Sequence, residues 1–246
     1  MSASQIRVGH IDLSFHDASA REVEAILERH GHSIERHAAP HERMFEILGD
    51  GGVDVLVSAW LPASHEKYLT PIEHQVRKVT VLYQPYCIWG VPEHVPETSV
   101  ASVSDLLNPD VLKRMDRRIQ GINPGAGISR FSARIVEEYE LAAVGYHFET
   151  GSEADCFDRF EAAAASGEWI VIPLWHPQYL HHRYRIRALD EPKGLLGGKD
   201  EATLIVRRDA EARIGEAALA ELAQLHLGNA KVSALDDALR SVFAKA

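Results

Sequence analysis

Two tryptophans stand at matching places in the sequence, each near the end of an apolar, β-rich run and shortly before a proline. Trp60 precedes Pro62, and Trp175 precedes Pro177. A quaternary ammonium group has no N–H to donate, so proteins recognise it with aromatic faces, and each cation–π contact contributes about 0.5–2 kcal/mol. The pair predicts two walls of an aromatic cage for a small organic cation. A tryptophan that serves only the core is the alternative for each residue taken alone.

A glycine-containing segment, Asn123–Ile128, lies between a predicted strand and a predicted helix. Glycines at such a place let backbone N–H groups converge on an anion at the helix N-terminus. The segment lacks the lysine and the hydroxyl residue of a P-loop, so it fits a small carboxylate better than a triphosphate. A plain strand-to-helix turn is the alternative interpretation.

The elements that would carry these residues alternate between strand and helix patterns. Residues 5–11, 33–37 and 53–60 have β-rich patterns with helical patterns between them. A capping-box spacing from Ser19 to Glu22 predicts the start of the first helix. The order β-α-β-α-β predicts a parallel α/β layer.

A second α/β region follows the proline-containing segment 92–96, and residues 202–207 predict a late strand. We expect the chain to leave a first lobe near residue 92 and to return to it near residue 195. Lobe 1 would then comprise residues 1–92 and 195–246, and lobe 2 residues 93–194. A ligand would lie in a cleft between the lobes, at the ends of the parallel strands.

Four segments, in this order along the chain, resemble the glycine betaine/choline-binding proteins of ABC importers. They are Gly49–Tyr68, Gly121–Ile128, Trp169–Pro177 and Tyr184–Pro192. Each segment alone is weak evidence, but four in sequence are fairly specific. The resemblance implies an α/β, two-lobed periplasmic-binding-protein-like fold of type II whose lobes close on the ligand.

The resemblance also implies roles for individual residues. Trp60 and Trp175 would form walls of the aromatic cage. Gly127 and Ile128 would offer backbone N–H groups to a ligand carboxylate, and His176 could donate a further hydrogen bond. No catalytic residue and no cofactor is implied.

The loop after the first predicted strand, from His10 to Phe15, would face the cleft. Asp12 in this loop lies where choline-binding relatives place a carboxylate near the cation. A carboxylate lining the site would favour choline and would repel the carboxylate of a betaine. If Asp12 instead caps the following turn, betaine stays open as the ligand.

The sequence departs from the family in its aromatic residues. Family cages commonly use three or four aromatic side chains, whereas only two are matched here. The candidates for the others are Phe15, Tyr83, Tyr86, Trp89 and Tyr179.

Composition and motifs exclude several other function classes. The net charge of -10 over 246 residues disfavours nucleic-acid binding. The fourteen histidines and two cysteines show no spacing typical of a metal site, and Cys87 and Cys156 are expected to be buried free thiols. No G-x-S-x-G motif or marked acid/base pair indicates an enzyme.

The sequence contains neither an export signal nor an apolar stretch of about 18 residues, so no membrane insertion is expected. The predicted location is cytoplasmic if Met1 is the native start, and periplasmic or otherwise extracytoplasmic if a signal peptide was removed. We predict the substrate-binding component of an ABC importer, with a small quaternary-ammonium ligand and a permease as partners. A cytoplasmic protein that senses or buffers the same ligand is the alternative, and an enzyme on this scaffold is less favoured.

Overall fold

The computed structural model describes residues 4–243. The strands are β1 (Gln5–Ile11), β2 (Ser33–Ala39), β3 (Val55–Leu61), β4 (Val76–Tyr83), β5 (Tyr86–Pro92), β6 (Arg118–Gln120), β7 (His147–Glu149), β8 (Ile172–His176), β9 (Ile186–Ala188) and β10 (Glu201–Arg207). The helices are α1 (Ser14–Arg29), α2 (His41–Gly49), α3 (Glu66–Leu69), α4 (Pro109–Leu112), α5 (Gly127–Glu138), α6 (Glu153–Ser166), α7 (Leu180–Arg183), α8 (Glu211–Ile214), α9 (Glu216–Leu222) and α10 (Asn229–Phe243). Short 3-10 turns lie at Thr70–Gln75, Val103–Leu107, Leu141–Val144 and Arg208–Ala210.

The chain divides into two compact units. Unit 1 comprises Met1–Pro85, Pro177–His182 and Lys199–Ala246, and unit 2 comprises Tyr86–His176 and Arg183–Gly198. The lobe boundaries near residues 92 and 195 stay a prediction from the sequence.

Unit 1 is built on one five-stranded sheet with the order β2-β1-β3-β10-β4. Strand β1 is parallel to both β2 and β3, which confirms the predicted β-α-β-α-β layer. Strand β3 is buried along its whole length, as expected for a strand covered on both faces. The late strand β10 enters between β3 and β4 and is antiparallel to both.

Helix α1 packs on this sheet and begins earlier than the capping-box spacing predicted. Its first residue is Ser14, and its N-cap is Leu13. Ser19 lies inside the helix, where its hydroxyl donates to the carbonyl of Phe15 at 2.9 Å. The capping-box prediction was wrong because a buried helical serine can satisfy its hydroxyl within the helix, four residues back.

Helix α10 packs along α1 and is fixed by a polar cluster within unit 1. The carboxylate of Asp236, which is fully buried, accepts the backbone N–H of Tyr179 at 2.8 Å. The guanidinium of Arg240 lies 4.2 Å from the centroid of the Tyr179 ring and donates to the hydroxyl of Ser14 at 3.1 Å. The segment Pro177–His182 is thereby tied to the helical layer of unit 1.

Unit 2 has a three-stranded sheet with the order β8-β5-β9 and a parallel two-stranded sheet of β6 and β7. Strand β5 is antiparallel to both β8 and β9. Gln84 and Pro85 separate β5 from β4, the preceding strand of unit 1.

None of the helices in residues 4–243 combines the length and the apolar character that a membrane span requires.

Candidate functional site

Trp60 lies near the end of β3 in unit 1, inside a cluster of aromatic and histidine rings. The Phe15 ring centroid lies 5.3 Å from that of Trp60, the His16 centroid 5.7 Å and the His65 centroid 6.3 Å. The indole N–H donates to the hydroxyl of Tyr83 at 3.2 Å. Only 6% of Trp60 is exposed, so its orientation is set by these neighbours.

A β-bulge precedes Trp60 in the same strand. Thr203 of β10 pairs with Ala59 and Ile205 pairs with Leu56, so one residue of β10 faces two of β3. One of those two, Ser58, has a φ of 58°, in the left-handed region that non-glycine residues rarely adopt. A bulge shifts the alternation of side chains by one residue, and this one therefore decides which face of the sheet Trp60 occupies.

The turn after Trp60 is held by one buried carboxylate of unit 1. Asp200 accepts the backbone N–H of Ala63 at 2.7 Å and that of Ser64 at 3.2 Å, and it also accepts the Ser64 hydroxyl at 2.6 Å. His65 ends the turn, and its Nδ1 accepts the backbone N–H of Trp60 at 2.9 Å. The Nδ1 of His65 is therefore unprotonated, and the strand end is tied to the turn that follows it.

Four buried histidines surround this strand end: His10, His16, His41 and His65. The rings of His41 and His65 lie 5.3 Å apart, and those of His16 and His65 lie 6.5 Å apart. Burial, together with the nearby His65, His41 and His10, lowers the pKa of His16 well below its usual value. The imidazole of His16 is neutral at physiological pH.

The three residues predicted from the loop after β1 have different surroundings. His10 belongs to β1 and is buried, and its Nδ1 contacts the carbonyl of Ile11 at 2.8 Å. Phe15 belongs to α1 and is the one that contacts Trp60. Asp12 is exposed, and α1 begins at Ser14 without a side-chain hydrogen bond at its cap. Leu13, and not Asp12, is the N-cap of α1. Both interpretations of Asp12, lining the ligand site and capping the following turn, stay predictions from the sequence.

Trp175 lies near the end of β8 in unit 2, where 1% of it is exposed. Its ring centroid lies 5.4 Å from that of Phe157 on α6. The predicted strand end is confirmed, but β8 pairs in antiparallel orientation, with Cys87 of β5 opposite Trp175. The order of elements along the chain does not fix which distant strand becomes the partner.

His176 follows Trp175 and stacks on Tyr86, with ring centroids 5.3 Å apart and planes 23° apart. Burial lowers the pKa of His176, so a neutral imidazole is favoured here as well.

The glycine segment of unit 2 leads directly into α5, which begins at Gly127 with Ala126 as N-cap. Both Gly127 and Ile128 are buried, and the side chain of Asn123 accepts the N–H of Ala126 at 3.1 Å. The first four N–H groups of a helix have no partner within it. The predicted strand–turn–helix setting is confirmed, and such a helix start can hold a carboxylate.

The remaining aromatic candidates divide by their contacts. Tyr83 lies in unit 1 and accepts the hydrogen bond of Trp60, and Tyr179 lies under Arg240. Trp89 of unit 2 is fully buried and donates to the hydroxyl of Ser132 at 2.8 Å, which identifies it as a core residue of that unit.

Sequence reasoning did not assign roles to His16, Ser58, His65 or Asp200. His65 had a local signal, because it follows Trp60 by five residues within the proline-containing turn. Ser58 had no local sequence signal, since no glycine marks the bulge. Asp200 comes from a distant part of the chain.

The described residues offer no group of three or more histidine, cysteine, aspartate or glutamate side chains suited to a metal ion. Both cysteines, Cys87 and Cys156, are buried thiols outside any disulfide, as predicted. Burial raises the pKa of the Cys156 thiol, which makes it a weak nucleophile.

Comparison with known families gives one match that spans nearly the whole chain. The model of the substrate-binding domain of ABC-type glycine betaine transport systems matches residues 4–241.

Individual relatives are more distant. A glycine betaine/carnitine transport binding protein, GbuC of Listeria monocytogenes, is 26% identical over 99 residues, which are 40% of this chain and 33% of GbuC. This match therefore spans about a third of the length of that relative.

Two solved structures share the fold over most of both chains. Lactococcal OpuAC, in a closed conformation with glycine betaine, has a TM-score of 0.84 and 22% identity over 97% of this chain and 90% of its own. A choline-binding protein of an ABC transporter, in complex with choline, has a TM-score of 0.79 and 18% identity over 97% and 83%. The predicted α/β fold of the two-lobed, type II periplasmic-binding-protein class is confirmed.

Proposed function

This chain belongs to the family of substrate-binding domains of ABC-type glycine betaine transport systems, and from that premise we propose that it binds a small quaternary-ammonium solute in an aromatic cage. The observation that carries the proposal is the setting of Trp60, an indole fixed by aromatic and histidine neighbours at a strand end. A preorganised aromatic face suits a cation without N–H donors.

Trp175 would supply the second wall. Its contact with Phe157 holds the indole in unit 2 much as Phe15 holds Trp60 in unit 1. Two rigid walls cost little side-chain entropy on binding, because neither ring has to be ordered by the ligand.

The start of α5 would bind a ligand carboxylate. The backbone N–H groups of Gly127 and Ile128 and the positive end of the helix dipole favour a negative group there. His176 would donate a further hydrogen bond from a neutral imidazole. Together these groups favour glycine betaine or a related betaine.

Asp12 is the feature that would favour choline. It is exposed, so its carboxylate is available to a cation. If it lines the bound ligand, a carboxylate on that ligand would be repelled. His10 and Phe15 would shape the same part of the cage.

The protein would deliver this ligand to the permease of an ABC importer. Its family consists of the substrate-binding domains of such transport systems, and delivery requires an extracytoplasmic location. A protein that senses or buffers the ligand would bind it in the same way but would have no permease partner. Binding to the purified transmembrane subunits of an ABC importer distinguishes the two roles.

Isothermal titration calorimetry tests the proposed ligand class. The protein is unfolded and refolded first, so that any retained ligand is removed, and is then titrated with glycine betaine, choline, carnitine and proline betaine. Saturable binding of at least one compound is expected, with their rank order showing the influence of Asp12. Proline, which lacks the methylated nitrogen, is the control. Absence of heat with all four methylated compounds would refute the proposal.

A further inference from the structure

The neighbours behind Trp60 form a continuous chain of buried polar groups in unit 1. The indole N–H of Trp60 donates to Tyr83, whose hydroxyl is also hydrogen-bonded to Ser58 and Ser19. The hydroxyl of Ser58 is bonded in turn to Nδ1 of His16. Trp60 is 6% exposed, His16 is 1% exposed, and Ser58 and Tyr83 are both at 0%.

The hydrogen bonds that link these four side chains can all run in one direction, from Trp60 to His16. Tyr83 accepts from the indole and can donate its own proton to Ser58, and Ser58 can then donate to Nδ1 of His16. This order requires a lone pair on Nδ1 and therefore a neutral imidazole. An imidazolium has N–H donors at both nitrogens, so protonation of His16 would reverse its bond with Ser58. Ser58 would then donate to Tyr83, whose oxygen would accept from both Ser58 and the indole N–H.

Ser58 joins this chain to the backbone irregularity in β3. It is the bulge residue with a φ of 58°, a conformation that costs free energy for a non-glycine residue and persists where its surroundings hold it. The side-chain hydrogen bonds of Ser58 to His16 and Tyr83 stabilise this conformation. The bulge in turn sets the face of the sheet on which Trp60 lies.

We propose that His16, Ser58 and Tyr83 are positioning residues that fix the indole of Trp60 for the ligand, and that they do so only while His16 is neutral. This inference rests on the proposed function, because it assigns a task to residues that support the cage from behind. It also implies that ligand binding weakens in acid.

The surroundings of His16 determine the pH at which its imidazole becomes charged. Three other histidines face it from three other elements: His10 on β1, His41 on α2 and His65 in the turn after β3. Asp17, the next residue, has its carboxylate bonded to Arg21 and Arg36. Tyr83 of β4 is held neutral, since burial raises its pKa to about 12. Burial and the three neighbouring imidazoles oppose a charge on His16, so the effect of acid is expected well below the usual imidazole pKa of 6.5.

The first experiment monitors the hydrogen bond of the Trp60 indole by NMR in the absence of a ligand. The Nε1–H resonance of Trp60 is assigned in the NMR spectrum by its loss in Trp60→Phe. In Tyr83→Phe this resonance should move upfield and its exchange with water should quicken, because its acceptor is gone. Tyr146→Phe is the matched control, since it removes a buried hydroxyl that bonds the carbonyl of Leu106 in unit 2. An unmoved resonance in Tyr83→Phe overturns the proposal whether or not any ligand is known.

The second experiment measures affinity for the compound that binds best in the calorimetric panel. Tyr83→Phe and Ser58→Gly should each raise Kd by about 2- to 10-fold, as expected for one lost hydrogen bond. Ser58→Gly keeps the positive φ without strain, so it isolates the hydroxyl from the bulge. Unchanged Kd values in both variants, with the Tyr146→Phe control also unchanged, contradict a positioning role.

The pH profile separates positioning from a merely structural role. Because the pKa of His16 lies well below its usual value of 6.5, the wild-type Kd should rise only as the pH falls well below 6.5. His16→Asn offers an amide oxygen in place of Nδ1 and cannot take up a proton, so its Kd should rise less. Parallel profiles for the two proteins overturn the proposal. If the wild type binds no compound of the panel, the proposed function fails, and the NMR result still decides whether the polar chain holds Trp60.

Discussion

Replacing Trp60 with alanine removes a full aromatic face from the proposed cage. If this face contacts the quaternary ammonium, the loss is about 0.5–2 kcal/mol of binding free energy. A loss of that size corresponds to a Kd that is about 2- to 30-fold higher. The upper part of the range is expected, because a site surrounded by Phe15, His16 and His65 holds the cation away from water.

The same substitution affects stability, and the design must separate the two effects. Trp60 is 6% exposed, and truncating a buried tryptophan to alanine costs about 3–5 kcal/mol of unfolding free energy. Trp60→Phe keeps an aromatic face and most of the volume, so it should lie between wild type and Trp60→Ala in affinity. Calorimetric titration of each variant, preceded by thermal unfolding to verify folding, measures both quantities.

Trp169→Phe is the matched control. Trp169 is 5% exposed, similar to Trp60, but it lies in unit 2 with the guanidinium of Arg114 at 3.9 Å from its ring centroid. Its replacement should change stability without changing Kd. Wild-type affinity in a folded Trp60→Ala variant would refute the assignment of this residue to the cage.

Three further predictions concern charge and pH. The pKa of His16 is lowered in the folded state, so the unfolded protein binds more protons as the pH falls. The free energy of unfolding should therefore be highest above about pH 6.5 and should fall as the pH drops below it. Urea unfolding across that range measures this effect, and a larger unfolding free energy in acid would contradict it. Asp12→Asn should shift preference from choline toward glycine betaine, and an unchanged ratio of the two Kd values would show that Asp12 does not face the ligand. Asp200→Ala should lower the unfolding free energy by about 1–3 kcal/mol because the N–H groups of Ala63 and Ser64 lose their acceptor. Urea unfolding and a parallel ligand titration should show lower stability and weaker binding together. Wild-type values for both would exclude the role of this carboxylate in holding the turn after Trp60.

The sequence predicted much of the sheet of unit 1, because buried strands and amphipathic helices leave clear local patterns. The start of α1 was misplaced, since the spacing from Ser19 to Glu22 also occurs inside a helix. Strand β8 was found near Trp175, yet its antiparallel pairing with β5 depends on residues about 85 positions away. Local sequence patterns identify strands and helices far better than they identify which strands pair.

The candidate site was predictable to a similar extent. Trp60, Trp175 and the Gly127 turn were visible because aromatic and glycine residues at strand ends have few local explanations. The chain behind Trp60 was not visible, because Tyr83 and His16 reach Ser58 from different elements. A bulge at a serine has no sequence signal comparable to glycine.

The most direct test of the cage is a nuclear Overhauser measurement on the protein saturated with its best ligand. The N-methyl protons of the ligand should show contacts to the indole protons of both Trp60 and Trp175, each assigned by substitution to phenylalanine. Contacts to both rings are the result that the proposed cage predicts. Contacts to neither ring, with the ligand bound, would contradict it.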